Sequence, residues 1–496
     1  MTRGLRQRRE GENVLTGVLV SLVLTLVAIV AGTGTTPAGA QSSAKVLPDI
    51  LFVQAPQVAE INSASRFPEG SRIVRLASGS RSSQPVNLTE GFFAVEDPAM
   101  SFDGAGVLFS AEKNSGENWQ IWEMQADGTG KRQITNCATD CTRPGYLPGD
   151  ERVFTVAGGE ANGGFSYLAV AGKDGAQVRR ITFGPGDWRL ETVLRDGRIV
   201  ASGNWPIAAS ATSSNNRLLY TLRPDGSALD ALRCEHEGNA VRGEATELED
   251  GSIAFVKSSH AEPGSGALAE IEKGEVHERG LGMAGKGIQS LSELSAGRLV
   301  VSRKQSGKAE NGGKFDLYVF DVKHKALGAR IYSDARMNSL QPVAVLGRSV
   351  PKKFWSTLNP EAKSGYFISL NSYASADEAS GRISAAIASV RVWTLAPGTQ
   401  QEEIAGEAPV EKDGSFYIEV KANQPVRFEL LDARGKRIRA ERSWIWSRGG
   451  EQRGCAGCHS DKAEAPENRW PMTLKRFDTP TAVNAKQGES EVAHAN

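Results

Sequence analysis

The sequence has no surplus of charge of either sign: its 496 residues carry 58 Lys and Arg against 58 Asp and Glu. Binding nucleic acid by neutralising phosphates needs a basic excess, so that class of partner is excluded. Long runs with a helical period are few, while 54 glycines and 21 prolines favour turns and strands. Cysteine is scarce, five in all, and the odd number rules out a plain disulfide framework. Beyond residue 40 no run is apolar enough to cross a bilayer. Several catalytic strings are missing too, among them a G-x-S-x-G elbow, H-E-x-x-H and a P-loop. Gly280 to Gly285 fits G-x-G-x-x-G in letters only, because no strand leads through it into a helix.

The ends of the chain differ from its body. Arg3, Arg6, Arg8 and Arg9 precede an uncharged, mostly apolar run from Val14 to Ala31, and Ala38-Gly39-Ala40 supplies the small residues a signal peptidase reads. Residues 1–40 therefore read as an export signal; a retained anchor is the competing reading, since the run approaches membrane-spanning length. Cleavage after Ala40 leaves a slightly acidic body, expected to be periplasmic or extracellular, in an oxidising compartment and without a membrane span. The polar tail from Gly488 to Asn496, with His494, reads as disordered.

From about residue 50 to 348 one unit recurs: a polar-apolar stretch, a turn with glycine, then an apolar strand. The turn glycines Gly104, Gly149, Gly197, Gly251, Gly297 and Gly347 stand 45 to 54 residues apart, the period of a four-stranded propeller blade. Second hairpins turn at Asp127-Gly128, Asp174-Gly175 and Asp225-Gly226, where Asp-Gly supplies positive φ. Six units predict a six-bladed propeller over 41–350. Its first blade joins Arg72 to Leu76 with inner sequence from Pro342 to Leu346, and Ile50 to Val53 closes the ring. After Pro351 the period stops. Gly365 to Leu370, Val390 to Leu395, Phe416 to Val420 and Val426 to Leu430 are strand-like, so 351–445 reads as a small antiparallel β-sandwich. The expected class is all-β, with a short C-terminal segment, 446–496, after the sandwich.

That segment carries the chemistry. Cys455-Ala-Gly-Cys458-His459 is C-x-x-C-H, the attachment string of c-type haem. Two thiols on one tight turn reach the two vinyl groups, and the adjacent histidine reaches the iron from the same side. A thioredoxin-like dithiol would follow a strand into a helix in an α/β unit, and a zinc site needs a fourth ligand nearby. Met472 is a candidate sixth iron ligand, although a lone methionine more often packs a core. Trp444, Trp446 and Trp470 flank the motif and are expected to pack on the porphyrin. Cys137 and Cys141 share a loop, where a small disulfide and two free thiols are equally compatible. Cys234 is the cysteine left over, and with His236 it is either half of a metal site or a buried thiol beside a solvated histidine.

The repeats resemble TolB-type, WD40-like propellers, most clearly from Pro98 to Thr135. The stretches Glu407 to Ile438 and Arg442 to Pro471 are similar to hydrazine synthase alpha-subunit-like proteins. The resemblance implies one covalent haem c held between a propeller and a β domain, with Cys455 and Cys458 as thioether sites and His459 as axial ligand. In that family a further haem domain follows and a tyrosine stands close after the motif. Here there is one C-x-x-C-H and no tyrosine beyond Tyr417, so the resemblance bears on architecture and cofactor more than on reaction.

The function these features predict is an exported mono-haem c-type cytochrome-like protein, exchanging electrons with a docked envelope protein or a small-molecule substrate. A haem enzyme with an open iron position is the second reading. A non-catalytic binding scaffold with a structural haem is the third.

Overall fold

The computed structural model describes residues 47–483, apart from 59–65, 79–83, 160–163, 205–215, 233–239, 260–263, 276, 296, 306–313, 375–382, 397–400, 442 and 457–468. The expected export signal, Cys234, His236, Cys458, His459 and His494 lie outside the described residues. Among the described residues no helix is long and apolar enough to cross a membrane.

Short β-branched and aromatic runs between Asp-Gly turns can bury themselves only by pairing with one another, and they do so in six four-stranded antiparallel units. In order from the innermost strand outward, blade 1 is Asn338–Ala344, Ile50–Ala55, Arg72–Leu76 and Val86–Asn87. Blade 2 is Ala94–Met100, Gly106–Glu112, Gln120–Gln125 and Arg132–Gln133. Blade 3 is Cys141–Leu147, Glu151–Val156, Tyr167–Gly172 and Arg179–Arg180. Blade 4 is Trp188–Val193, Ile199–Asn204, Arg217–Leu222 and Asp230–Ala231. Blades 5 and 6 start from Ala240–Glu247 and Lys286–Ser295. Each innermost strand packs against the next, and that of blade 6 against that of blade 1, so the units form a closed all-β ring.

Ring closure joins the two ends of the repeat, with Leu51 paired to Val343 and Gln54 to Ser339. The strand from the C-terminal side is Asn338–Ala344, earlier than the expected Pro342 to Leu346. The Asp-Gly turns also fix how blades nest. Gly175 has φ +80°, and a Cβ there would lie 1.8 Å from the Ile134 carbonyl oxygen of the preceding blade, so only glycine fits. Asp174 Oδ1 accepts the Ala176 N–H at 3.1 Å and holds the turn.

The β-sandwich has two four-stranded sheets. One orders Gln452–Cys455, Ser364–Ser369, Phe416–Lys421 and Thr481–Ala482; the other orders Glu402–Pro409, Ser389–Leu395, Val426–Leu431 and Arg437–Ala440. Alternating residues Phe367, Ile418 and Val420 from the first and Val390, Val392 and Leu430 from the second fill the core. The strand that carries Cys455 is thus built into the sandwich, at a sheet edge.

Propeller and sandwich meet in an aromatic seam. Trp444 and Trp446 belong to one apolar cluster with Trp188, Leu190 and Tyr220 of blade 4. Trp446 is fully buried, its ring centroid lies 5.4 Å from that of Trp188, and its Nε1 donates to Gly226 O at 3.0 Å.

Candidate functional site

The motif strand is fixed by its backbone before any side chain acts. Gln452–Cys455 pairs in parallel with Ser364–Ser369, placing Ser369 opposite Cys455. Tyr366 N donates to Glu451 O at 2.8 Å and Leu370 N to Cys455 O at 2.9 Å. The turn before it needs glycine, since a Cβ on Gly449 would lie 2.5 Å from Asn359 O.

Side chains then tie this edge to blade 4. Arg453 Nη1 donates to Trp446 O and Nη2 to Leu229 O, both at 2.5 Å. Glu451 Oε1 accepts the Ala228 N–H at 2.8 Å, and Oε2 accepts the Arg448 N–H at 2.8 Å. Arg453 and Cys455 stand two residues apart and so share a face of the sheet. At this edge the face meets blade 4, and Asp230 of that blade and Glu441 act electrostatically on the thiol. Cys455 is half-buried and forms no disulfide. Burial pushes its thiol above the usual range against the pull of Arg453, and the carboxylates of Glu441 and Asp230 add to the rise.

Met472 opens a 3₁₀ turn, Met472–Lys475, at the same end of the sheet. Ser369 pairs with both Cys455 and Phe416, so the three lie in one row, with Cys455 and Phe416 about 10 Å apart. The turn before Phe416 holds the methionine: Asp413 Oδ2 accepts the Met472 N–H at 2.8 Å, and Ser415 Oγ accepts the Thr473 N–H at 3.0 Å. Met472 is partly exposed and Trp470 is mostly exposed. Trp444 and Trp446, expected against a porphyrin, are covered by the seam instead: Phe183 and Trp188 of the propeller stand against Trp446, and the Arg427 guanidinium lies over Trp444. Cys137 and Cys141 form a disulfide that joins the preceding loop to the first residue of the inner strand of blade 3, far from the motif in sequence. Among the described residues no cluster of three or more His, Cys, Asp or Glu is arranged to hold a metal ion.

A second polar region, which the sequence reading missed, lines the propeller channel. In four inner strands two residues oppose one. Gln341-Pro342 stand against Phe52, Asp97-Pro98 against Phe109, Arg143-Pro144 against Phe154 and Glu244-Ala245 against Phe255. The first residue of each bulge has φ between 47° and 56°. In blade 4 the extra residue is Glu191. These side chains knit neighbouring blades. Gln341 Oε1 accepts the Asp97 N–H at 2.8 Å, Asp97 Oδ2 accepts the Arg143 N–H at 3.1 Å, and Glu191 Oε2 accepts the Ala245 N–H at 3.2 Å. Arg143 Nη2 bonds Glu244 Oε1. The recurring polar-Pro dipeptides were the available signal, since a residue before proline is pushed out of the helical region.

With this geometry in view, the comparisons with known proteins become specific. The profile of the hydrazine synthase alpha subunit middle domain matches residues 371–460, a span that includes Cys455, Cys458 and His459. Hydrazine synthase subunit alpha of Kuenenia stuttgartiensis is 22% identical over 570 residues, covering 87% of this chain and 70% of that protein. The chain is similar to hydrazine synthase alpha subunits. The solved Kuenenia stuttgartiensis hydrazine synthase shares the fold, with a TM-score of 0.76 over 86% of this chain and 71% of its own, at 21% identity. TolB from Acinetobacter baumannii matches at a TM-score of 0.45 and 15% identity, over 62% of this chain and 67% of its own. The hydrazine synthase alpha likeness thus extends beyond the motif to the propeller and sandwich together.

Proposed function

We propose that this chain is an exported mono-haem c-type cytochrome-like protein, with one haem attached covalently through Cys455 and Cys458, His459 as axial ligand, between blade 4 and the sandwich. The placement of Cys455 carries the reading: an unbonded thiol at the exact edge where the two domains meet, opening the C-x-x-C-H string. The donor chemistry there fits such a group: an unbonded, half-buried thiol, with the partly exposed Met472 at the same end of the sheet. Similarity to the hydrazine synthase alpha middle domain over 371–460 supports the same assignment.

Haem attached in this way supplies one-electron chemistry, and its sixth ligand tunes it. Met472 stands at the motif's end of the sheet and is our candidate for that ligand. Arg453 and Glu451 fix the strand against blade 4 and so set the orientation of whatever Cys455 holds. The basic leader, apolar run and Ala38-Gly39-Ala40 support export, to the compartment where covalent haem attachment takes place. Similarity to a named enzyme subunit supports a partner protein as the electron donor or acceptor.

The full chain, produced in a host that matures c-type cytochromes, is expected to stain for haem on a denaturing gel and to contain one haem per chain. Cys455→Ala and Cys458→Ala are each expected to weaken or remove the stain. Wild-type protein that folds without covalent haem would overturn the proposal.

A further inference from the structure

The chain leaves the propeller at Ala344 and forms no further strand until Ser364–Ser369. Between them it lies as a strap across the face of the ring where the inner strands end. A Cβ on Gly104, Gly149 or Gly197, the turn glycines of blades 2, 3 and 4, would stand 2.8 Å from Gly347 N, 2.9 Å from Lys353 Cδ or 2.9 Å from Lys352 O. Arg348 N donates to Phe102 O at 2.7 Å, and Ser356 Oγ to Asp225 Oδ2 at 2.7 Å. Pro351 is buried, and Phe354 is half-buried beside the Arg223 guanidinium. Their neighbours face water: Val350 is 63% and Trp355 84% exposed, with Lys352 and Lys353 exposed between them. An open tryptophan beside an aliphatic side chain has the character of an interface anchor.

This face is divided in charge. On the strap's half the carboxylates Asp103, Asp196 and Asp225 are held within their own turns, through Ser101, Arg198 and Ser227. Asp150 stands beside Gly149, but neither Lys352 nor Lys353 forms an ion pair among the described residues. Blade 5 presents the opposite sign. Glu249 and Asp250 are exposed in the turn 248–252 and Glu275 in the outer turn, against Lys273, which packs on Gly251. Asp250 accepts the Ser252 N–H of its own turn at 2.8 Å, and none of these three carboxylates forms an ion pair among the described residues. The two halves share one rim: Arg195 N of blade 4 donates to Glu247 Oε2 of blade 5, and Glu249 N to Glu293 Oε1 of blade 6.

We infer that this face is the contact surface of a homodimer, with the strap of each copy laid against the blade 5 turns of the other. A two-fold axis across the channel mouth brings blade 4 of one copy over blade 5 of the second. Lys352, Lys353 and Trp355 then meet Glu249, Asp250 and Glu275, and the contact is made twice. An outside partner would have to supply both signs in register, whereas a second copy already carries them. The inference stands on the strap and blade 5 and does not depend on haem.

Sedimentation velocity of the full chain over a range of concentrations is expected to show a dimer that weakens as salt is raised. Lys352→Glu with Lys353→Glu, and separately Glu249→Lys with Asp250→Lys, each set like charges across both contacts and are expected to weaken dimerisation about tenfold or more. Mixed in equal amounts, the two double variants regain opposite charges at both contacts, so a heterodimer of wild-type strength is expected; variants that had lost their fold would not be rescued. Trp355→Ala is expected to weaken self-association while leaving its salt dependence in place. A chain that stays monomeric at every concentration, a dimer indifferent to both charge reversals, or a mixture that does not associate would overturn the inference. A monomer that co-sediments with phosphatidylglycerol vesicles would overturn it too, and would assign the strap to a membrane surface.

Discussion

The seam between blade 4 and the sandwich and the channel at the centre of the ring are both buried, yet they solve burial in opposite ways. In the seam Trp188, Trp444 and Trp446 are at most 2% exposed, and the Trp446 indole and the Arg453 guanidinium end on backbone carbonyls. In the channel, carboxylates and guanidiniums face one another across blades. The first arrangement gains from area removed from water and is indifferent to pH. The second balances desolvation against charge pairing, so it yields little net stability and responds to protons and ions. A rigid seam suits the strand that presents Cys455, whereas the channel's ion pairs tie neighbouring blades to one another.

The sharpest way to break this comparison is at Trp446. Trp446→Ala removes a fully buried indole and its bond to Gly226 O, and is expected to cost about 3–5 kcal/mol in denaturant unfolding. A loss below about 1 kcal/mol would mean that the sandwich does not depend on the seam.

The channel's counterpart is Glu96, behind the bulge level. Burial, and then the charge of Asp97, raise its carboxyl to about 7, against the pull of Arg66. The folded state therefore holds this proton more tightly than the unfolded chain. The associated stability is present at low pH and is lost as pH rises from about 4.5 through about 7. Glu96→Gln is expected to flatten that fall, making the variant relatively more stable at pH 8 than at pH 5 by up to about 3 kcal/mol. Parallel pH profiles for variant and wild type would count against an electrostatically strained channel.

These two regions were unequally legible. The blades could be read because each hairpin carries a local sign, Asp-Gly followed by an alternating strand, and the period repeats those signs. Sandwich strands such as Ser389–Leu395 showed by alternation. Gln452–Cys455 could not be read as a strand. Gln-Arg-Gly-Cys has no apolar alternation, and it is extended only because Ser364–Ser369, nearly ninety residues earlier, offers its edge. For Trp444 and Trp446, sequence gives burial but not the partner, and the partner is blade 4. The channel ring depends on contacts between blades, such as Asp97 with Gln341, 244 residues apart. Of the site residues, Cys455 and Met472 share one sheet end through pairings with Ser369 and Phe416, a placement no spacing along the chain contains.

A smaller substitution sharpens the seam at the point where it serves the motif. Arg453 donates two bonds to carbonyls, one on each side of the junction, and its guanidinium lies 5.3 Å over the Phe367 ring. Lysine keeps the charge and the stem but cannot span both carbonyls with a rigid fork. Arg453→Lys is therefore expected to cost about 1 kcal/mol, and Arg453→Met, which leaves both carbonyls without this donor, about 2 kcal/mol. The global loss is modest because the rest of the seam remains. The local loss is larger: the Leu370 amide, bonded to Cys455 O, should exchange its hydrogen markedly faster in both variants, while amides in the inner strand of blade 2 stay unchanged. Exchange that rises equally in both places would show the arginine to be a general stabiliser, and not the clamp that holds the cysteine strand on the propeller.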